Sequence, residues 1–314
     1  MARCLPVLLI VLVVGSDLPA QQEAAVKKED FQLVSRRDGW PIFVTYYQSR
    51  LKKNAAVVVL LHGDRGNRRV WTRRGGMAES LQSLGYAVIA VDLRKHGQSV
   101  PPGVNVGSAG GKKGGKKGGS TLKRVDYNLM VISDMEAVKK FIYNEHQAQR
   151  LNMRKLAIVA AEMSAPVAVA FAANDWNKKP HADSPTFATR TPRGQDVRAL
   201  VLLSPKSSVS GLQANKPMRY LKTRVPQVAF LVCVGSSKSK VPLAAANKLY
   251  KVLKPIAEDP KKRTRWFNEF PVQLQGTDLL GKKLGLESTV QGFLGRYLNE
   301  LKDPWRTRKS KAAT

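Results

Sequence analysis

Apolar residues in this chain fall into short unbroken runs, set apart by polar turns and by stretches with helical spacing. Four runs stand out: Ala55–Leu61 (AAVVVLL), Tyr86–Val91 (YAVIAV), Val197–Leu203 (VRALVLL) and Gln227–Val234 (QVAFLVCV). Their length and β-branched content predict strands covered on both faces. A fifth strand, Lys155–Ala160, leads through a tight turn into an apolar helix from about Met163. Phe31–Val34 and Pro41–Gln48 predict two strands around the turn Arg37-Asp38-Gly39, and Thr264–Phe270 predicts a last one. Helices are expected over Ala78–Ser83, within Asp126–His146, over Leu243–Leu253 and over Ser288–Leu301. In the second of these, Met130, Ile132, Met135, Val138, Phe141 and Ile142 recur at helical spacing. Asn174–Arg193 is polar and contains proline, which predicts a loop.

Strands alternating with helices predict an α/β fold: a mostly parallel sheet of up to eight strands, helices on both faces. No long insertion separates Leu203 from Gln227, so no large lid domain is expected. With 314 residues, 43% of them hydrophobic, the chain is large enough for one sizeable core.

The ends change the picture. Arg3, the apolar run Pro6–Val14 and the small-residue end at Ala20 read as a secretory signal over 1–20. An uncleaved anchor is the alternative, but the run is short for a bilayer. A polar leader then covers 21–30, the domain 31–303, and a basic tail 304–314. Export to a periplasmic or extracellular space is the expectation. Cys4 leaves with the signal, so Cys233, inside an apolar strand, has no partner for an internal disulfide and reads as core. No later stretch predicts a transmembrane segment.

The formal net charge is +30. A charge this large speaks to partners and solubility rather than fold. It suggests an anionic ligand or polymer, or a surface that simply tolerates basic residues. Nucleic acid is unsupported: no aromatics interleave with the basic runs, and no DNA- or RNA-binding signature appears. Within 100–124, GGKKGGKKGG is too polar and too like-charged to predict order. It is no phosphate loop, because the strand, the glycine spacing and a Lys-Ser/Thr helix start are missing. Four histidines without a close pair give no zinc pattern, and no cofactor is predicted.

Three motifs carry a resemblance. The strand at 55–61 ends in His62-Gly63. The next ends in Asp92-x-Arg94-x-His96-Gly97-x-Ser99, with Lys95 between Arg94 and His96. The strand-turn-helix at 155–172 places Ala160-Ala161-Glu162-Met163-Ser164 at its turn. In this order and spacing the chain resembles the α/β-hydrolase superfamily, of the serine-aminopeptidase or dienelactone-hydrolase type, over about 31–301. The resemblance implies a nucleophile elbow at Glu162 and an oxyanion-supplying loop at His62-Gly63, with Met163 following the nucleophile position. Lys95 stands where the family pattern has a glycine.

The resemblance also implies a serine, an acid and a histidine in that order. None is in place. Glu162 occupies the serine position. Lys238 occupies the acid position, and Ser204–Ser208, the other placement, has no carboxylate. Gln275 occupies the histidine position, and the last histidine in the chain is His181. Glutamine cannot accept a proton at neutral pH. Ser164 is the nearest alternative nucleophile, but it would put Glu162 and Pro166 where the turn needs minimal side chains. His62 and His96 read as loop-fixing residues, and His146 as a helix-end residue. The expectation is an exported, catalytically inactive hydrolase-fold protein that acts by binding, with an anionic ligand or polymer at an electropositive crevice. The alternatives are a working hydrolase of esters or peptides using Ser164 or Glu162, and a basic envelope scaffold.

Overall fold

The computed structural model describes residues 27–104, 122–236, 240–254 and 263–311. Eight strands form one sheet: β1 Lys28–Val34, β2 Pro41–Tyr47, β3 Val57–Leu61, β4 Ala87–Val91, β5 Leu156–Ala161, β6 Val197–Leu203, β7 Ala229–Gly235 and β8 Arg265–Phe270. Their spatial order is β1-β2-β4-β3-β5-β6-β7-β8. β2 is antiparallel to both of its neighbours, and every other pairing is parallel.

The central runs are apolar throughout because both faces are covered. Val57, Val59 and Leu61 of β3 join the core on one face, and Val58 and Leu60 join the core on the other. Against the first face pack helix α2, Met135–Gln147, and helix α3, Ser164–Asn177. Against the second pack α1, Met77–Ser83, and α6, Leu286–Leu294. Between β6 and β7 lie a short ribbon, pairing Ser208–Val209 with Leu212–Gln213, and helix α4, Asn215–Arg224. Helix α5, Lys240–Leu253, links β7 towards β8. No lid domain is present among the described residues, and no helix there is long and apolar enough to cross a membrane.

Several expectations need correction. Lys28, Glu29 and Asp30 are not leader but the first half of β1, paired with Tyr47, Tyr46 and Thr45. As an edge strand β1 alternates exposed and half-buried residues, so it lacks an apolar signature. α3 runs on to Asn177 before the loop begins. The helix within Asp126–His146 starts at Arg124 and is interrupted by a π turn at Met130–Asp134. The last helix is α6 followed by a second π turn, Gly295–Asn299. The basic tail is docked on the domain: Trp305 Nε1 donates to the His146 carbonyl at 2.9 Å, and His146 Nε2 donates to the Arg306 carbonyl at 2.8 Å. Arg308 reaches Asp196. The signal, most of the leader, Lys238 and GGKKGGKKGG lie outside the described residues.

Candidate functional site

The turn after β5 holds Glu162 at φ +48°, the left-handed region that an L side chain enters at a cost of about 1 kcal/mol or more. Backbone bonds hold it there. Glu162 N–H donates to the Leu203 carbonyl at 2.9 Å, and Lys206 N–H donates to the Glu162 carbonyl at 3.2 Å. Ser164 fastens the turn from below. Its hydroxyl accepts from Ala161 N–H at 2.9 Å and donates back to the Ala161 carbonyl at 2.8 Å, in complete burial.

The Glu162 side chain lies in a slot between two glycines. A Cβ on Gly63 would come within 2.2 Å of its Oε2, and one on Gly276, itself at φ +54°, within 2.7 Å of its Cγ. Oε2 accepts the N–H of Asp64, the first residue beyond His62-Gly63, at 2.9 Å. Asp64 pairs in turn with Lys206 across the mouth of the slot. Burial pushes the Glu162 carboxyl above the usual range. The Asp64 N–H pulls it down, the Asp64 charge pushes it up, Lys206 pulls it down and Asp278 pushes it up.

Such a carboxyl favours the fold below its ordinary value of 4.5, and that contribution is lost as pH rises through the raised value. Glu162→Gln keeps an acceptor for Asp64 N–H and removes the charge. It is expected to raise Tm by about 1–2 °C at pH 7 and to leave it unchanged at pH 4. Thermal unfolding at the two pH values checks this; a lower Tm at pH 7 contradicts it.

Gln275 and Glu162 come from adjoining walls, since Gly276 touches the Glu162 side chain. Gln275 Nε2 donates to the Gly235 carbonyl at 2.8 Å, while its buried Oε1 finds no partner. Gly276 N–H donates to Ser204 Oγ at 2.8 Å. His62 is fully buried with both ring nitrogens engaged: Nδ1 donates to the Gly63 carbonyl at 2.8 Å, and Nε2 accepts from Leu93 N–H at 3.1 Å. Burial, with the neighbouring His96, drops its pKa to about 3, so it is a neutral loop-holder. His96 Nδ1 donates to the Arg94 carbonyl at 3.0 Å. Among the described residues no histidine hydrogen-bonds to Glu162 or Ser164. Met163 is buried beneath the turn, its sulfur accepting from Tyr127 Oη at 3.6 Å. No cluster of His, Cys, Asp and Glu among the described residues suits a metal ion.

The structure brings Gly63 and Gly276 against the Glu162 side chain, and Ser164 and His62 bond backbone instead. Asp64, Lys206 and Asp278 join the site without having been singled out. Asp64 had a signal, its place directly after His62-Gly63. Lys206 lies within Ser204–Ser208, read only for its lack of a carboxylate, and Asp278 stands three residues beyond Gln275. The described groups around the slot are three carboxylates and one lysine; Lys238 and the glycine-lysine loop, from which an electropositive crevice was expected, lie outside the described residues.

The sequence pattern of the alpha/beta hydrolase fold matches residues 56–233. No curated protein matches the chain. Among solved structures, an esterase of Pyrococcus furiosus is similar with a TM-score of 0.57 at 14% identity, covering 87% of this chain and 92% of its own. An acylaminoacyl peptidase of Pyrococcus horikoshii gives 0.54 at 10% identity, over 91% of this chain and 44% of its own. A predicted CIB-like hydrolase of Thermoplasma acidophilum gives 0.50 at 14%, over 88% and 100%. Likeness at such identities speaks to the fold alone, and with the sequence match and the strand order it places the chain: it belongs to the α/β-hydrolase fold family.

Proposed function

We propose that this is an exported, catalytically inactive α/β-hydrolase-fold protein that works by binding. One observation carries the reading: the Glu162 carboxylate accepts the Asp64 N–H at 2.9 Å. In the family, an N–H from the loop after this strand is aimed at the oxygen of the reacting acyl group. Here the chain's own anion takes that donor. A substrate oxygen would have to displace a carboxylate held between two glycines, and among the described residues no histidine hydrogen-bonds to Glu162 or Ser164. Ser164 supports the same reading. A hydroxyl that closes the turn from a fully buried position is not presented to a substrate.

The test is intact mass after treatment with a fluorophosphonate, beside a labelled control hydrolase, with turnover of p-nitrophenyl acetate followed in parallel. No adduct is expected, and the same background turnover in wild type and Glu162→Ala. An adduct at Ser164 overturns the proposal in favour of a serine hydrolase. A turnover lost in Glu162→Ala overturns it in favour of a carboxylate nucleophile.

A further inference from the structure

The excess of basic residues has a candidate use away from the elbow. The crevice of this fold lies at the carboxyl ends of the parallel strands. At the opposite end, the turn from β2 to β3 and the turn from α2 to β5 enclose a pocket of about 660 Å³. Five of its lining residues are cationic: Lys27, Arg50, Lys52, Lys53 and Arg150. No carboxylate and no aromatic residue lines it.

Lys27 is already paired with Glu29 and Arg150 with Glu145, both carboxylates outside the lining. Lys52 and Lys53, both exposed, make no ion pair among the described residues. The two turns are also strained. Lys52 sits at φ +47° and Gln149, across the pocket, at φ +58°. Neither is glycine, so each wall of the same pocket holds a residue in a conformation that costs about 1 kcal/mol or more. Packing cations around a concavity has a cost in self-repulsion, and such a cleft focuses its field on an incoming anion.

We propose that this pocket binds a compact polyanion bearing two or more adjacent phosphate groups, with Lys52 and Lys53 as its principal contacts. Lys52 and Lys53 line the same pocket, so two ammonium groups can meet adjacent charges, and lysine binds phosphate as a point charge. The absence of an aromatic wall argues against single-stranded nucleic acid, which needs a stacking platform. The enclosed volume suits a small molecule or the end of a phosphate chain. The site does not depend on whether the elbow is active.

Isothermal titration of the mature protein with sodium tripolyphosphate, and separately with inositol hexakisphosphate, tests this. One arm reports a condensed phosphate and the other a phosphate ester. Binding of either is expected at low salt, weakening as salt is raised. The double variant Lys52→Ala/Lys53→Ala should weaken it at least tenfold. Lys282→Ala/Lys283→Ala removes the same charge from another exposed loop and should change it less than twofold. Circular dichroism on both variants keeps misfolding out of the comparison. Binding of neither probe overturns the proposal. So does an equal loss in the two double variants, which would mean attraction to bulk charge.

Discussion

Replacing Lys139 by methionine is expected to cost the fold about 3–5 kcal/mol. Lys139 Nζ lies between two carboxylates with no exposed side-chain surface: Asp175, and Asp196 at 2.7 Å. Arg308, from the docked tail, meets Asp196 on its other side at 2.6 Å. Methionine keeps the length and volume, so a cavity is not the source of the loss. The source is a buried carboxylate stripped of its cation. Asp175 would retain the N–H groups of Asp196 at 2.8 Å and Val197 at 3.3 Å, too little to replace an ammonium in a dry interior.

The pH dependence follows from the two shifts. Burial opposes the charge on Lys139, but Asp196 and Asp175 outweigh it and hold its pKa above 10.5. That contribution is complete below the ordinary value and is lost as pH rises through the raised one. Burial likewise opposes ionised Asp175, and Lys139 outweighs it, holding the carboxyl below 3.8. Its contribution is complete above the ordinary value and is lost as pH falls through the lowered one. Urea unfolding should therefore show a wild-type plateau across neutral pH. Lys139→Met should fall well below it at pH 7 and recover part of the gap on acidification, as Asp175 takes up a proton. The double variant Lys139→Met/Asp175→Asn should be more stable than the single one at pH 7. A loss under about 1 kcal/mol in the single variant would show that the cluster is not what holds this end of the sheet.

This cluster also marks where sequence reading stops. The central strands were legible because burial on both faces makes them apolar at every position, a signal that needs no partner to be known. The elbow was legible because small residues flank a strand-to-helix switch. Arg308 was not: read in line it is one cation in a basic tail, and its burial depends on Asp196, 112 positions away. β1 was half missed because an edge strand is polar on one side. Helix α4 buries only Met218 and Leu221, too few positions to set a period. In the site, Glu162 could be placed from its motif. What it does there could not, since its partner is a backbone N–H whose position is set by the fold of another loop.

Arg94→Ala is expected to cost a further fold-sized penalty, again about 3–5 kcal/mol, because it leaves the buried Asp134 carboxylate without its cation. Arg94 is 1% exposed. Its Nε and one terminal nitrogen fork onto Asp134 at 2.7 and 2.6 Å, and its other terminal nitrogen meets Asp38 at 2.9 Å. Asp134 sits in the π turn, where burial lifts its pKa despite the fork. The arginine thereby ties the turn after β4 to the helix that packs on the sheet and to the β1–β2 turn. Its neighbours in the motif do comparable work. Asp92 accepts Arg68 N–H at 2.6 Å and Gln98 N–H at 2.9 Å; Ser99 accepts Phe43 N–H at 2.8 Å and donates to the Asp92 carbonyl at 2.7 Å. Each of these two side chains bonds backbone of neighbouring segments. Arg94→Lys retains one charge but not the fork, so it should lose about half as much as alanine. Arg94→Met/Asp134→Leu, which removes both charges, should recover stability over Arg94→Ala, because the penalty lies in the orphaned carboxylate. Urea denaturation of the three variants decides it. If Arg94→Ala costs less than about 1 kcal/mol, the segment is not held by this network. If the order is as stated, Arg94 and Asp134 hold this turn as a pair, and the cost of losing one lies in the buried charge left behind.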